Sequence, residues 1–424
     1  MKNLCLLLWI FACNSAWAGF GYYSPVSINS GQVPSTQRNF PVLVSFTDAR
    51  FKDVAHGGTV QSSSGFDIRP YLDVGLSVPL VYELERYNPA TGELIMWVKV
   101  ASLSSSTTPI YLAYCNASLT TNGSSTATWS NSFIGVYHLK DGTTLSTTGS
   151  APGDQTLGNN NSVTATSGKI DGGANFVSAS SQYLEDGFGV FNKSAITWSA
   201  WVNAASFPNA LNSVFGMGFS GIEYESLTVK SNGKLRCHVV ATTAISYDGT
   251  GSHTLSSGTW YYVVMTYDNV TGLIGYVNAS IDATVAANGP LNVTFNVATD
   301  VGATRSIGNY WNGVLDEVRF SDIVRPADWI TTEYNNQSSP SAFETLGTEV
   351  NTGLCVTPTP TFTPTPTATA TVTFTPTPTA TATNTPTPTA TATATSTSTP
   401  TPTPTGSPTA TPTANPERSF SEVQ

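Results

Sequence analysis

The chain has 424 residues, of which only 10% are charged, and 27 Asp and Glu outweigh 17 Lys and Arg to give a formal net charge of -10. A lysine-poor, acidic chain with no basic cluster excludes nucleic acid as a partner, because that affinity comes mostly from neutralised phosphates. What remains is a neutral partner such as a polysaccharide, or another cell-surface protein.

The first 20 residues, "MKNLCLLLWIFACNSAWAGF", carry one Lys, an apolar run from Leu4 to Ala12 and a small-x-small exit at Ala16-Trp17-Ala18. This is the pattern of a secretory signal peptide over 1–18, cut after Ala18. The apolar run is far shorter than the roughly 20 residues a membrane span needs. Lipidation at Cys13, which would make an outer-membrane lipoprotein, is the alternative, although Phe11 fits a lipoprotein cleavage box poorly. Cys5 and Cys13 leave with the signal. Cys115, Cys237 and Cys355 remain, too widely spaced for a metal cluster or a disulfide framework, and allow one disulfide whose pairing stays open.

Residues 19–118 read as strands: "FPVLVSF", "PLVYELERY", "GELIMWVKV" and "TPIYLAYCN". In the second, Val81, Glu83 and Glu85 alternate with Tyr82 and Leu84, and "NPATGE" supplies a hairpin connection. Short loops and alternation predict a small β-sandwich. Residues 119–130, "TTNGSSTATWSN", are small and polar and read as a linker. Strands resume over 131–348. In "AITWSAWVNA", Ile196, Trp198, Ala200 and Val202 oppose Thr197, Ser199, Trp201 and Asn203, and Asn232-Gly233 marks a tight hairpin. Cys237 reads as a buried strand residue facing the same way as Leu235 and Val239. These strands sum to one large two-sheet sandwich.

In the strand Gly313–Phe320, Asp316 shares parity with Val314, Val318 and Phe320, so it is expected on the core side, with Glu317 on the opposite face. Pro326 to Asn335 is expected to be a short helix, with Pro326 at the first position and Trp329, Ile330 and Tyr334 packing as a lid over one open end of the sandwich. Beyond it, residues 349–424 are dominated by uncharged Thr/Pro repeats, which cannot build a core. They are expected to form a disordered, extended stalk that is a plausible O-glycosylation substrate.

The first block resembles the DUF2341 family of extracellular bacterial domains, through "NFPVLVSF", "GFDIRP", "LVYELERYNPATGELIMWVKV" and "TPIYLAYCN". Cys115 stands where that family usually has Gly, which implies an altered turn or an added disulfide. The second block resembles a laminin-G-like jelly roll of the concanavalin A-like lectin/glucanase superfamily, through "VYHLKD", "GKIDGGANFVSASSQYLE", "AITWSAWVN", "GTWYYVVMTYD", "GLIGYVNA" and "IGNYWNGVLDEVRFSD". The tail "RPADWITTEYNNQSSPSAFETLG" is typical of proteins that pair the two domains. The fold class is therefore all-β: a small β-sandwich, then a concanavalin A-like jelly roll, then the stalk.

Hydrolases of this superfamily carry a Glu-x-Asp-x-x-Glu or Glu-x-Asp-x-Glu strand, and glycoside hydrolysis needs two carboxylates facing one bond. Here "GIEYES" places Glu223 and Glu225 on one strand face but lacks the central Asp. Asp316 and Glu317, on opposite faces, cannot address one bond, and His138 has no evident nucleophile and reads as a space-filling strand residue. The resemblance also implies a structural calcium ion, for which Asp141, Asp171 and Asp316 are the candidate oxygen donors. Candidate glycan contacts are Trp311 beside Tyr310 and Asn312, and Trp201 with Asn203. A noncatalytic secreted or cell-surface binding or adhesion protein is the favoured reading. The alternatives are a carbohydrate-active enzyme and a passive surface or fibre component.

Overall fold

Alternation of apolar residues along short strands generates two stacked pairs of sheets in the computed structural model, which describes residues 19–104, 110–140, 144–187, 193–242, 245–286, 289–292 and 297–355. The expected signal peptide, the Thr/Pro-rich repeats and Asp141 lie outside the described residues. In the first sandwich, Gln37–Thr47, Glu93–Leu103 and Tyr82–Asn88 form one antiparallel sheet. The other runs in the order Glu344–Leu346, Tyr22–Ile28, Ile110–Tyr114, Arg69–Tyr71. In the second sandwich, an eight-stranded sheet centred on Ile196–Ala204 and Gly313–Ser321 faces a seven-stranded sheet centred on Ile222–Lys230 and Leu211–Phe219. Ile196, Trp198, Ala200 and Val202 point into the core between them, and so do Leu235, Cys237 and Val239, as their periodicity predicts.

The structure changes several expectations. The segment 119–130 is no free linker at its C-terminal end. Thr126–Trp129 forms a 3-10 turn, and fully buried Trp129 donates its indole N–H to Glu83 at 2.6 Å. Trp129, Phe133, Ile170 and Trp329 join Val42, Met96 and Leu112 in one apolar cluster, so residues from beyond 118 complete the first sandwich. The first-sandwich sheet also takes in Val350–Asn351, which pairs with Tyr22 and Tyr23. A disulfide then joins Cys115 to Cys355, leaving Cys237 as the buried free thiol among the described residues. Strand pairing and the disulfide thus extend past 349. Cys115 adopts φ 62°, a left-handed conformation that glycine favours.

The helix is present as Ala327–Ser338, with Pro326 one position before it in extended conformation. It is not a lid over an open end. Ile330 and Tyr334 pack on Trp201, Tyr262 and Tyr276. Trp329 turns the other way, 4.7 Å from Phe40. The helix is therefore wedged between the outer face of the eight-stranded sheet and the first sandwich.

Candidate functional site

Two places in the fold gather polar chemistry. The first lies where the sandwiches meet, and it arises from a β-bulge. Pairing between Ile196–Ala204 and Gly313–Ser321 slips so that Trp201 faces Asp316 while Ser199 faces Arg319. Glu317 absorbs the extra residue at φ 51°, and a bulge of this kind resets which side each side chain takes. Leu315, Val318 and Phe320 therefore enter the jelly-roll core. Asp316 is buried away from Val318 and Phe320, its Oδ2 accepting from the backbone N–H groups of Lys169 and Ile170 at 2.7 and 2.8 Å. The expected parity of Asp316 is thus overturned, and Glu317 is buried as well.

Around Glu317 the strand Tyr82–Asn88 delivers Glu83 and Glu85, the latter at a register shift between Leu84 and Arg86. His138 sits between them. Its Nδ1 is 2.7 Å from Glu317 Oε1 and 3.4 Å from Glu85 Oε2, and its Nε2 is 3.3 Å from Glu83 Oε2. Its ring stacks on Trp97, 5.6 Å between centroids. Trp97 donates to Glu85 at 2.5 Å, and Ser150 donates to Glu83 at 2.7 Å. Arg319 donates to Glu317 at 2.6 Å and to Glu333, which also accepts from Tyr262 at 2.8 Å. His138 is thus a hub rather than a space-filling residue.

Burial opposes a charged His138, but the fields of Glu317, Glu85 and Glu83 outweigh it and hold the imidazole pKa well above 6.5. Burial likewise opposes a charged Glu83. The charge and hydrogen bond of His138, with those of Trp129 and Ser150, still bring it down to about 2. Glu85, wholly enclosed, is pushed by burial up to about 8. Burial also disfavours the charge on Glu317, yet His138 and Arg319 hold it below 4.5. A cavity of about 240 Å³, lined by Glu83, His138, Lys140, Ser124 and Ser150, borders the cluster at Glu83 and His138.

The second place is an open cleft of about 570 Å³ in the jelly roll, lined by Tyr183, Tyr310, Phe219, Asn161, Arg305 and Ser306. The hairpin Phe219–Ile222 projects beside it, with Phe219 64% and Ile222 55% exposed. The rings of Tyr183 and Tyr310 lie 6.5 Å apart. Arg305 spans the floor: it donates to Tyr183 Oη at 3.2 Å and to Glu185 at 2.5 Å, and its Nε lies 3.3 Å from Asp300.

Among the five sequence-selected glycan contacts, only Tyr310 lines this cleft. Trp311 is fully buried in the core. Asn312 is spent on Ser178 N–H and Ser206 Oγ. Trp201 lies under the helix, stacked on Tyr334 at 5.9 Å and bonded to Gln337, and Asn203 pairs with Trp260 and Val314 within the sheet. Of the calcium candidates, Asp316 is held by backbone donors and Asp171 by the Arg86 guanidinium. Among the described residues neither joins a cluster of three metal-ligating side chains. A second register shift, between Ser226 and Glu223, separates the acids of "GIEYES". Glu223 accepts from Arg236 at 2.9 Å, while Glu225 is buried apart from it, so they do not share a face as expected. Phe219 and Ile222 left a signal that the sequence reading missed: two large apolar residues flanking a Ser-Gly hairpin turn.

Residues 171–331 match the laminin-G family described as the concanavalin A-like lectin/glucanases superfamily. The topology and this match together define the second sandwich as a concanavalin A-like jelly roll. Among solved structures, domain 4 of the extracellular arabinanase AbnA from Geobacillus stearothermophilus, in complex with arabinotriose, is 14% identical. That likeness covers 47% of this chain and 96% of that one, with a TM-score of 0.38. A pentraxin from Limulus polyphemus is 15% identical over 33% of this chain and 69% of its own, with a TM-score of 0.28. Trypanosoma rangeli sialidase is 14% identical over 56% and 42%, with a TM-score of 0.36. No curated protein matches the chain. No helix among the described residues is long and apolar enough to cross a membrane.

Proposed function

We propose that the protein is a noncatalytic extracellular glycan-binding protein and that the cleft between Tyr183, Tyr310 and Phe219 holds the sugar. The observation that carries this reading is the combination of exposed aromatic surface with the Asn161 amide and Ser306 hydroxyl in one open concavity. Sugar rings offer an apolar face and a hydroxyl rim, which such a mixture complements. The Arg305 guanidinium is already matched by Glu185 and Asp300, which favours a neutral saccharide over an acidic one. The concanavalin A-like fold of this domain and the expected signal peptide and stalk are consistent with display outside the cell.

A glycan array probed with the full chain tests the proposal, followed by titration of the best ligand against Tyr310→Ala and Phe219→Ala. Saturable binding weakened at least tenfold by either substitution supports it. A blank array overturns glycan binding, and release of a shortened product from a polysaccharide overturns the noncatalytic part.

A further inference from the structure

We propose that Glu85, His138 and Glu317 form a binding site for a divalent zinc-type metal ion at the junction of the two sandwiches. One atom from each, His138 Nδ1 and a carboxylate oxygen of each glutamate, lies within 4.8 Å of the other two. The 3.4 Å between His138 Nδ1 and Glu85 Oε2 is close to the roughly 3.3 Å that bonds of about 2.0–2.1 Å to a tetrahedral ion impose. Glu317 Oε1 stands closer, at 2.7 Å, and has to back away slightly as an ion enters.

Three further features have the form of a metal centre. First, each ligand has an outer partner: Trp97 donates to Glu85, Arg319 donates to Glu317, and His138 turns its remaining nitrogen to Glu83. Ligating histidines and carboxylates are ordinarily oriented in this way. Second, Glu85 is only 8% exposed, and its Oε1 has no hydrogen-bond partner. A proton on His138 serves Glu317 and Glu83 but leaves that oxygen unsatisfied, whereas an ion held by both oxygens of the Glu85 carboxylate engages Oε1 together with Oε2, the oxygen 3.4 Å from His138 Nδ1. Third, a cavity reaches the His138 edge of the set, where Glu83 and His138 line it, while Glu85 and Glu317 lie behind them. An imidazole among two carboxylates suits zinc-type ions better than calcium, which takes six to eight oxygens. This set is distinct from the aspartates selected from the sequence.

The test uses the full chain, stripped with chelator and titrated with zinc chloride near neutral pH. The expected result is one zinc per chain, with calcium unable to compete. Glu83→Gln leaves the three ligands in place; it changes the outer partner of His138 and the shared acceptor of Trp129 and Ser150, and should weaken zinc by about 10- to 100-fold. Glu85→Gln keeps an oxygen for the Trp97 N–H but removes a charged ligand, and should weaken it further. A readout needing no variant is the visible spectrum of the cobalt(II)-loaded wild-type chain, which should show absorption of an ion in a low-coordinate site that zinc abolishes. Absence of stoichiometric zinc binding, or zinc binding that both substitutions leave unchanged, overturns the proposal.

Discussion

Glu225 shows how one enclosed side chain sets a pH dependence. It is 3% exposed, and burial alone pushes its carboxyl from 4.5 up to about 8. The folded state therefore holds a proton that the unfolded chain releases across that interval. The associated stability is fully present below about pH 4.5 and is lost as the pH rises through about 8. Glu225→Gln should remove that loss, so its advantage over wild type grows by up to roughly 1.4 kcal/mol per pH unit within the window. Urea midpoints at pH 5 and pH 8 measure it, and parallel shifts in the two proteins would mean that Glu225 is ionised in the fold. Asp316 presents the opposite case of a well-partnered acid. Asp316→Ala strips the acceptor from the N–H groups of Lys169, Ile170 and Glu317, and should cost about 1–3 kcal/mol. A thermal melt identical to wild type would show that water replaces the carboxylate. That Asp316 is buried was legible in the apolar strand around it. Its side of the strand was not, because one left-handed residue at Glu317 shifts the alternation, and a period of two carries no mark of where that shift falls.

The helix Ala327–Ser338 works as an adaptor at the scale of elements, and Asn336 is its most specific contact. The strand Gln37–Thr47 is the edge of its sheet, where unpaired backbone groups need cover. Asn336 Oδ1 accepts from Leu43 N at 2.7 Å, and its Nδ2 donates to Leu43 O at 2.9 Å, so one side-chain amide imitates a neighbouring strand. Glu344 serves Ser45 N–H in the same way at 2.8 Å. Asn336→Ala leaves both Leu43 groups buried without partners and should destabilise by about 1–3 kcal/mol for each. Asn336→Asp keeps the acceptor and should fall between the two in a chemical denaturation series. If Asn336→Ala unfolds at the wild-type midpoint, the edge is not closed by this amide. The helix itself was readable from Pro326 and the spacing of Trp329, Ile330 and Tyr334, as were the main strands from their alternation. Its seat was not, because its partners Phe40 and Trp201 come from two different sandwiches. For the same reason nothing in the alternation of Glu83 and Glu85 with Tyr82 and Leu84 marked them for the hub at His138, which residues of the second sandwich complete.

At the scale of the whole molecule, the two sandwiches are joined three ways: by the shared apolar cluster of Trp129, Phe133 and Trp329 with Val42 and Met96, by the charged hub at His138, and by the return of the chain to the first sheet. The return is fastened twice, by pairing of Val350–Asn351 with Tyr22 and Tyr23 and by the Cys115–Cys355 disulfide across 240 residues. That loop encloses the whole jelly roll, so the crosslink restricts the unfolded chain over most of its length. Removing it should cost about 2–5 kcal/mol. Cys355→Ser is the cleaner variant, because serine at 355 leaves Cys115, with its left-handed backbone, untouched. Under oxidising conditions the full wild-type chain should unfold at a higher urea midpoint than Cys355→Ser, and reductant should bring the two together. Protease should also cut the variant sooner between Leu346 and Cys355, since without the crosslink that segment is held by the two residue pairs of the last strand and by single hydrogen bonds such as Gly347 N–H to Pro25 O and Thr352 N–H to Gly21 O. Equal midpoints with and without reductant would show that strand pairing and the shared core already fix the return of the chain, leaving the disulfide without a stabilising role.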